Sequence, residues 1–226
     1  MSTIVSYRKK FIFIHITKTA GTSVTSVLEP YGDPPILSSK WVRNSIHILE
    51  KWLPIRIIPF TGRAILPIHA DAKEITTRYQ NVDLHSFYRF SFVRNPWDRV
   101  VSLYTFRRTS RKKFTNAKKY EKAMSQSFSE FVEDFCGRRF LSQAERLFLD
   151  PQGNLDMDFV GKMENLDQDL PIVLKNLGIP NNSVPRKNRT RHDHYVSLYD
   201  SHTKKLVADA FAKDIELFQY RFGEEP

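Results

Sequence analysis

The sequence predicts an α/β fold organised around a mostly parallel sheet. Residues 11–16 (FIFIHI) and Tyr88–Val93 (YRFSFV) are continuous apolar runs, the pattern of strands buried on both faces. Each run leads into a turn and then a segment with helix signals, which is how parallel sheets are built. Lys18 follows the first run and Arg94 follows the second, so both cations fall at carboxyl ends of strands, where such sheets hold ligands.

The remaining elements follow in order. Residues 22–28 are helical up to Pro30. Residues 31–67 are broken by prolines 30, 34, 35, 54, 59 and 67, with 41–52 able to form one amphipathic helix between them. Residues 69–79 (HADAKEITTRY) predict a helix. Asn95 is a good N-cap and Pro96 a good first helical residue, so a helix is expected over 96–106. The basic stretch RRTSRKKFTNAKK, residues 107–119, lacks apolar periodicity and is expected to be mobile or partner-facing. Phe128, Phe131, Val132 and Phe135 stand at helical spacing. Residues 157–160 suggest a third strand and 166–177 a helix with Pro171 awkwardly inside. Residues 180–191 form a polar, basic loop. The last helix is expected over 204–220, with Leu206, Ala210, Phe211, Ile215 and Phe218 on one face. There is no internal repeat and no low-complexity tract.

The chain has 226 residues, 41% of them hydrophobic, enough for a single domain with a sizeable core. A net charge of +10 implies anionic partners: a nucleotide, a nucleic acid, an acidic polysaccharide or a membrane surface. Cys136 is the only cysteine, which excludes an intramolecular disulfide and paired-cysteine zinc sites and fits a reducing compartment. The first residues lack a signal-peptide pattern, and no window approaches the ~20 apolar residues of a membrane span. The expectation is a soluble, cytoplasmic protein, with a removed anchor left open.

Thr17-Lys18-Thr19-Ala20-Gly21-Thr22-Ser23 joins the first strand to its helix. A loop entering a helix presents backbone N–H groups and the positive end of the helix dipole. Gly21 permits close backbone approach or positive φ. Lys18 adds a full charge, and Thr19, Thr22 and Ser23 add hydroxyls. This suits a phosphate or sulfate, or else is an ordinary turn with an exposed lysine. The lysine precedes the glycine, so the nucleoside triphosphate motif is not met, and no metal ligand is expected. Arg94 offers a guanidinium fork for a second phosphate, or a structural salt bridge. Ser102, two turns into the next helix, either joins it or lets helices pack. Asp98 is expected to support the first helical turn, and Arg99 to be a surface residue or to pair nearby.

The pair TKTAGTS and FVRNPWDRVVSLY resembles the sulfotransferases that use 3′-phosphoadenosine 5′-phosphosulfate (PAPS), most of all their carbohydrate, membrane-type branch and its short bacterial relatives. FVGKMENLDQDL (159–170) and LVADAFAKDIELFQYRF (206–222) agree with the same family. Thr17 departs from it, since relatives often carry proline there. The resemblance implies a P-loop-like three-layer fold covering residues 1–226, with 31–67 and 107–126 as acceptor-side or mobile segments. It implies PAPS as co-substrate, 3′,5′-bisphosphoadenosine as product and no metal. Lys18 would touch the oxygen bridging sulfate and phosphate, and Thr19, Ala20, Gly21, Thr22 and Ser23 would cradle the 5′-phosphate. Arg94 and Ser102 would hold the 3′-phosphate. Asn188 and Arg189, in PRKNRTRH, would belong to a segment closing over the nucleotide.

Sulfuryl transfer to a hydroxyl needs a base and stabilisation of the leaving phosphate, roles suited to a histidine and to Lys18. Of seven histidines, His69 matches the family position of the base; it could otherwise cap or pack its helix. His15 is expected in the core or lining the acceptor pocket, and His192 and His194 on the surface. Glu164 and Asp167 are expected to be structural, and Trp97, Tyr195 and Tyr199 either stack on adenine or belong to the core. The acceptor is expected to be a saccharide hydroxyl, possibly anionic. An ATP-dependent small-molecule kinase and a non-catalytic nucleic-acid-binding module remain alternatives. The scattered basic residues and lack of a binding motif count against nucleic acid.

Overall fold

The computed structural model describes residues 3–32, 69–109, 121, 124–137, 142–181 and 195–224. Four strands form one sheet in the order β1 (Ile4–Ser6), β2 (Phe11–Ile14), β3 (Tyr88–Val93), β4 (Phe159–Lys162). The β2–β3 and β3–β4 pairings are parallel and β1–β2 is antiparallel. Among the described residues seven α-helices accompany them: α1 (Gly21–Leu28), α2 (Ala72–Arg78), α3 (Pro96–Thr109), α4 (Phe128–Cys136), α5 (Leu166–Asn176), α6 (Ser201–Ala210) and α7 (Ala212–Phe218).

Side-chain alternation along β2 explains why its run is continuously apolar. Phe11 and Phe13 face α1 and α5, packing with Phe90, Phe92, Val24 and Leu170. Ile12 and Ile14 face the opposite side, against Ile75 and Phe148. Both faces of the sheet are therefore covered, and each fully buried Phe stabilises the fold by about 2 kcal/mol. A third cluster, centred on Val101, Phe131, Val132 and Phe211, joins α3, α4 and the C-terminal helices. Trp97, Tyr195 and Tyr199 pack here: Trp97 is 4% and Tyr195 8% exposed, and Phe222 packs edge-on against all three. They are core aromatics.

Several elements depart from expectation for physical reasons. Helix α2 starts at Ala72, not at residue 69, because His69 is left-handed (φ 62) and Asp71 caps the helix from Glu74 N–H at 2.9 Å. Strand β4 begins two residues late, since Asp158 is held by Arg89: its carboxylate accepts the Arg89 N–H at 2.6 Å and its N–H donates to the Arg89 carbonyl at 2.9 Å. The expected C-terminal helix is two helices, broken at Phe211 (φ −120). The break lets Asp214, 0% exposed, accept from the N–H groups of Gln143 and Ala144 at 2.8 Å each. Pro171 does lie inside α5, where burial of Leu170, Val173 and Leu174 holds the helix despite the missing donor. The predicted helix 41–52 lies outside the described residues.

Candidate active site

The β2–α1 connection bends sharply. Ser91 Oγ donates to the Ile14 carbonyl at 2.7 Å, closing the end of β2. Lys18 (φ 69) and Ala20 (φ 58) are both left-handed, with Thr19 between them on the ordinary side. Alternating the sign of φ in this way turns successive N–H groups toward one hollow. Each left-handed non-glycine residue costs about 1–2 kcal/mol. Thr19 Oγ1 donates to the Ile16 carbonyl at 2.9 Å, so it braces the turn from within. No side chain caps α1. Gly21 does not carry the positive φ. It is required because a Cβ there would lie 1.8 Å from the His15 ring.

The β3–α3 connection lies beside it and is tightly clamped. Gln143, 0% exposed, accepts from the Arg94 N–H at 2.9 Å and donates to the Arg94 carbonyl at 2.8 Å. Glu164 Oε1 accepts from the Asn95 N–H at 2.7 Å, which gives Glu164 the structural role expected of it. Burial raises the Glu164 pKa, against the lowering effect of that bond. Asn95 Oδ1 caps α3 by accepting from the Trp97 N–H at 3.1 Å.

Arg94 itself is 6% exposed. Its Nε and Nη2 both reach Asp98 Oδ2 at 2.8 Å, and its Nη1 donates to the Lys18 carbonyl at 3.3 Å. Asp98 thus serves the guanidinium. Arg94 also ties the second motif to the first. Asp98, Ser102 and Phe106 follow Arg94 at intervals of four on one stripe of α3. Ser102 is 3% exposed, and Phe106 offers its ring face to Lys18 Nζ at 4.3 Å.

Two arginines complete the basic surroundings. Arg99 is half-buried and donates from Nε to the Thr17 carbonyl at 3.1 Å. Burial lowers its pKa to about 10, opposed by Asp214 and reinforced by Arg146 and Arg94. Arg146 Nε is buried with no hydrogen-bond partner among the described residues. A cavity of about 20 Å³ lined by Thr17, Lys18, Arg99, Val100, Leu103 and Phe135 has room for one water.

His69 stands on the other side of the loop. Its ring centroid is 4.6 Å from that of His15, with the planes at 58°. Desolvation lowers the His69 pKa; the His15 backbone opposes this and the Arg146 charge adds to it. His69 is therefore a neutral imidazole at pH 7, the form that accepts a proton. His15 is 5% exposed, as expected of a core histidine.

The structure thus brings Lys18 to Ser23, Arg94, Ser102 and His69 to the same end of the sheet. Asn188, Arg189, His192 and His194 lie outside the described residues, as do most of 31–67 and 107–126. Sequence reasoning missed Gln143, Arg146 and Phe106; Arg99 pairs nearby, with the Thr17 carbonyl, one of the two roles expected of it. Of the three missed residues only Phe106 carried a signal, its helical spacing from Ser102; Gln143 and Arg146 reach the site from distant sequence.

Cations converging from two adjacent strand tips, with a neutral imidazole beside them, define an anion-handling α/β protein. The chain belongs to the sulfotransferase family, whose model matches residues 1–221. An uncharacterized protein of Archaeoglobus fulgidus is 33% identical over 111 residues, which cover 48% of this chain and 82% of that relative. No solved structure matches. Family membership makes the chain a transferase of sulfuryl groups. Among the described residues, no group of histidine, cysteine and acidic side chains could hold a metal ion, and no helix is long and apolar enough to cross a membrane.

Proposed function

We propose that this protein transfers a sulfuryl group from PAPS to a hydroxyl of a carbohydrate, in line, with His69 as base and Lys18 stabilising the leaving phosphate. The observation that carries the proposal is the contact of the Arg94 guanidinium with the Lys18 carbonyl, 3.3 Å. It sets two cation-bearing strand tips side by side, as a donor with separated 5′ and 3′ anionic groups requires. Residues Lys18 to Ser23 hold the 5′ end of the donor, and Arg94 and Ser102 the 3′-phosphate, with Asn188 and Arg189 closing over it. His69 takes the proton from the acceptor hydroxyl, and burial keeps its imidazole neutral for that task. Lys18 meets the charge that develops on the leaving group, and a metal is not needed for this. The fold is P-loop-like and three-layered, one domain over residues 1–226, working in the cytoplasm. In this reading residues 31–67 and 107–126 are acceptor-side or mobile segments.

Calorimetry tests the reading. 3′,5′-Bisphosphoadenosine should bind in preference to ATP with magnesium and to an oligonucleotide; preference for ATP with magnesium would replace the proposal with a kinase. His69→Ala should abolish transfer of labelled sulfate while bisphosphoadenosine binding survives. Wild-type turnover in that variant would remove His69 from the base role.

A further inference from the structure

We infer that His15 is a positioning residue, a wedge between the donor loop and the base whose imidazole sets where the His69 ring stands. The inference rests on the reading of His69 as base and goes beyond it, because His15 touches neither reacting atom.

Three observations carry it. The His15 ring lies flat along Phe13, with centroids 6.0 Å apart and planes at 20°, so its orientation is fixed from behind. Its Cδ2 and Nε2 edge abuts Gly21, so tightly that a Cβ would come within 1.8 Å of both atoms. Its centroid lies 4.6 Å from that of the His69 ring, with the planes at 58°. One ring therefore touches the first residue of α1, where the loop delivers its N–H groups, and the proposed base.

The backbone holds the same pair together. Thr3 Oγ1 accepts from the His15 N–H at 3.2 Å and donates to the Ala70 carbonyl at 2.7 Å. Thr3 is 5% exposed, so this bridge is shielded from water. It pins the residue after His69 to the strand end that carries His15. The left-handed conformation of His69 (φ 62) is held by these ties and not by local preference. A phenyl ring would fill the same volume without desolvating two ring nitrogens. The imidazole is placed instead with Cδ2 and Nε2 at Gly21 and its centroid 4.6 Å from that of the base.

Among the described residues, the charged and titratable groups facing His69 are His15 from the end of β2 and Arg146 from the turn 144–146. Removing the His15 ring admits water beside His69 and relieves the desolvation that lowers its pKa.

The test is steady-state transfer of labelled sulfate over pH, comparing wild type with His15→Asn and His15→Phe. Misplacing the base is expected to lower kcat about tenfold or more. KM for the donor should stay within about twofold, because His69 acts on the acceptor hydroxyl and not on the donor. In His15→Asn the acidic limb of kcat should move to higher pH. Unchanged kcat and an unmoved limb in both variants, with His69→Ala inactive, would show that His15 only fills space and would overturn the inference alone. Turnover surviving in His69→Ala would instead overturn the base reading and the inference with it.

A second measurement needs no turnover. Gly21→Ala should weaken 3′,5′-bisphosphoadenosine binding about tenfold or more by calorimetry, since the loop must shift to clear the ring. Adding His15→Ala should restore most of that affinity. If Gly21→Ala does not fold, recovery of folded protein in the double variant is the readout. Failure of His15→Ala to restore either quantity would sink the wedge.

Discussion

Two strand-to-helix junctions lie next to each other at one end of the sheet, and they are built on opposite plans. The β2–α1 junction uses six residues, 15–20, two of them left-handed without being glycine, and no side chain caps its helix. The β3–α3 junction uses two residues, and side chains from Gln143, Glu164 and Asn95 take its backbone donors. The first keeps its strained backbone free of side-chain caps. The second spends its polar groups on itself and so becomes a rigid wall. The rigid wall steadies the strained loop through the hydrogen bond that Arg94 Nη1 donates to the Lys18 carbonyl.

If this division is right, loop substitutions should damage chemistry and wall substitutions should damage stability. The largest effect is expected for Lys18→Ala, a loss of about 10²–10³ in kcat with donor affinity also reduced. Labelled-donor kinetics measure it, and unchanged kinetics would take Lys18 out of the site. Gln143→Leu leaves the buried Arg94 N–H and carbonyl without partners and should cost about 2–3 kcal/mol in urea unfolding. A smaller loss than for Thr22→Ala would reverse the comparison.

Asp98→Asn sharpens the boundary between the two regions. It strips the carboxylate from a guanidinium that is 8% exposed, so the unliganded protein should lose about 2 kcal/mol. The stabilisation conferred by 3′,5′-bisphosphoadenosine should grow in the same variant, because an anion then satisfies Arg94. Melting curves with and without the ligand decide this; equal ligand shifts in variant and wild type would leave Arg94 a purely structural cation.

The pH dependence has a definite sign. His69 has a lower pKa in the fold than the ordinary 6.5. Below 6.5 the unfolded chain binds a proton that the folded chain does not, so stability contributed by neutral His69 is lost as pH falls through that value. The acidic limb of kcat should likewise lie below 6.5, and a limb above it would contradict the desolvated setting. The smallest effect is expected for Phe106→Leu. Removing the ring under Lys18 Nζ should change kcat/KM only several-fold, in line with about 0.5–1 kcal/mol for a half-exposed cation–π contact.

Much of the fold could be read from local pattern. The strands β2 and β3, the cap at Asn95 and the helical spacing in α4 depend on neighbours a few residues apart, and they formed as expected. β1 was missed because three residues carry too little periodicity to register. The C-terminal helix was read as continuous because its apolar face runs through Phe211, whereas Asp214 must turn inward to hold Gln143 and Ala144. The site divides in the same way. Arg94 and Asp98 stand four apart, so their pairing was available to inspection, yet spacing alone could not say whether the guanidinium would serve a ligand or a carboxylate.

What the amino-acid order determined by itself is the central strands β2 and β3, the two motif-bearing junctions and the family they announce, since these rest on short-range periodicity and turn chemistry. Tertiary structure alone decided which groups meet. His15 beside His69, Gln143 around Arg94 and Arg146 near the base join residues 54, 49 and 77 positions apart. Such contacts form only when packing of the sheet's two faces brings distant segments together, and no local preference encodes them.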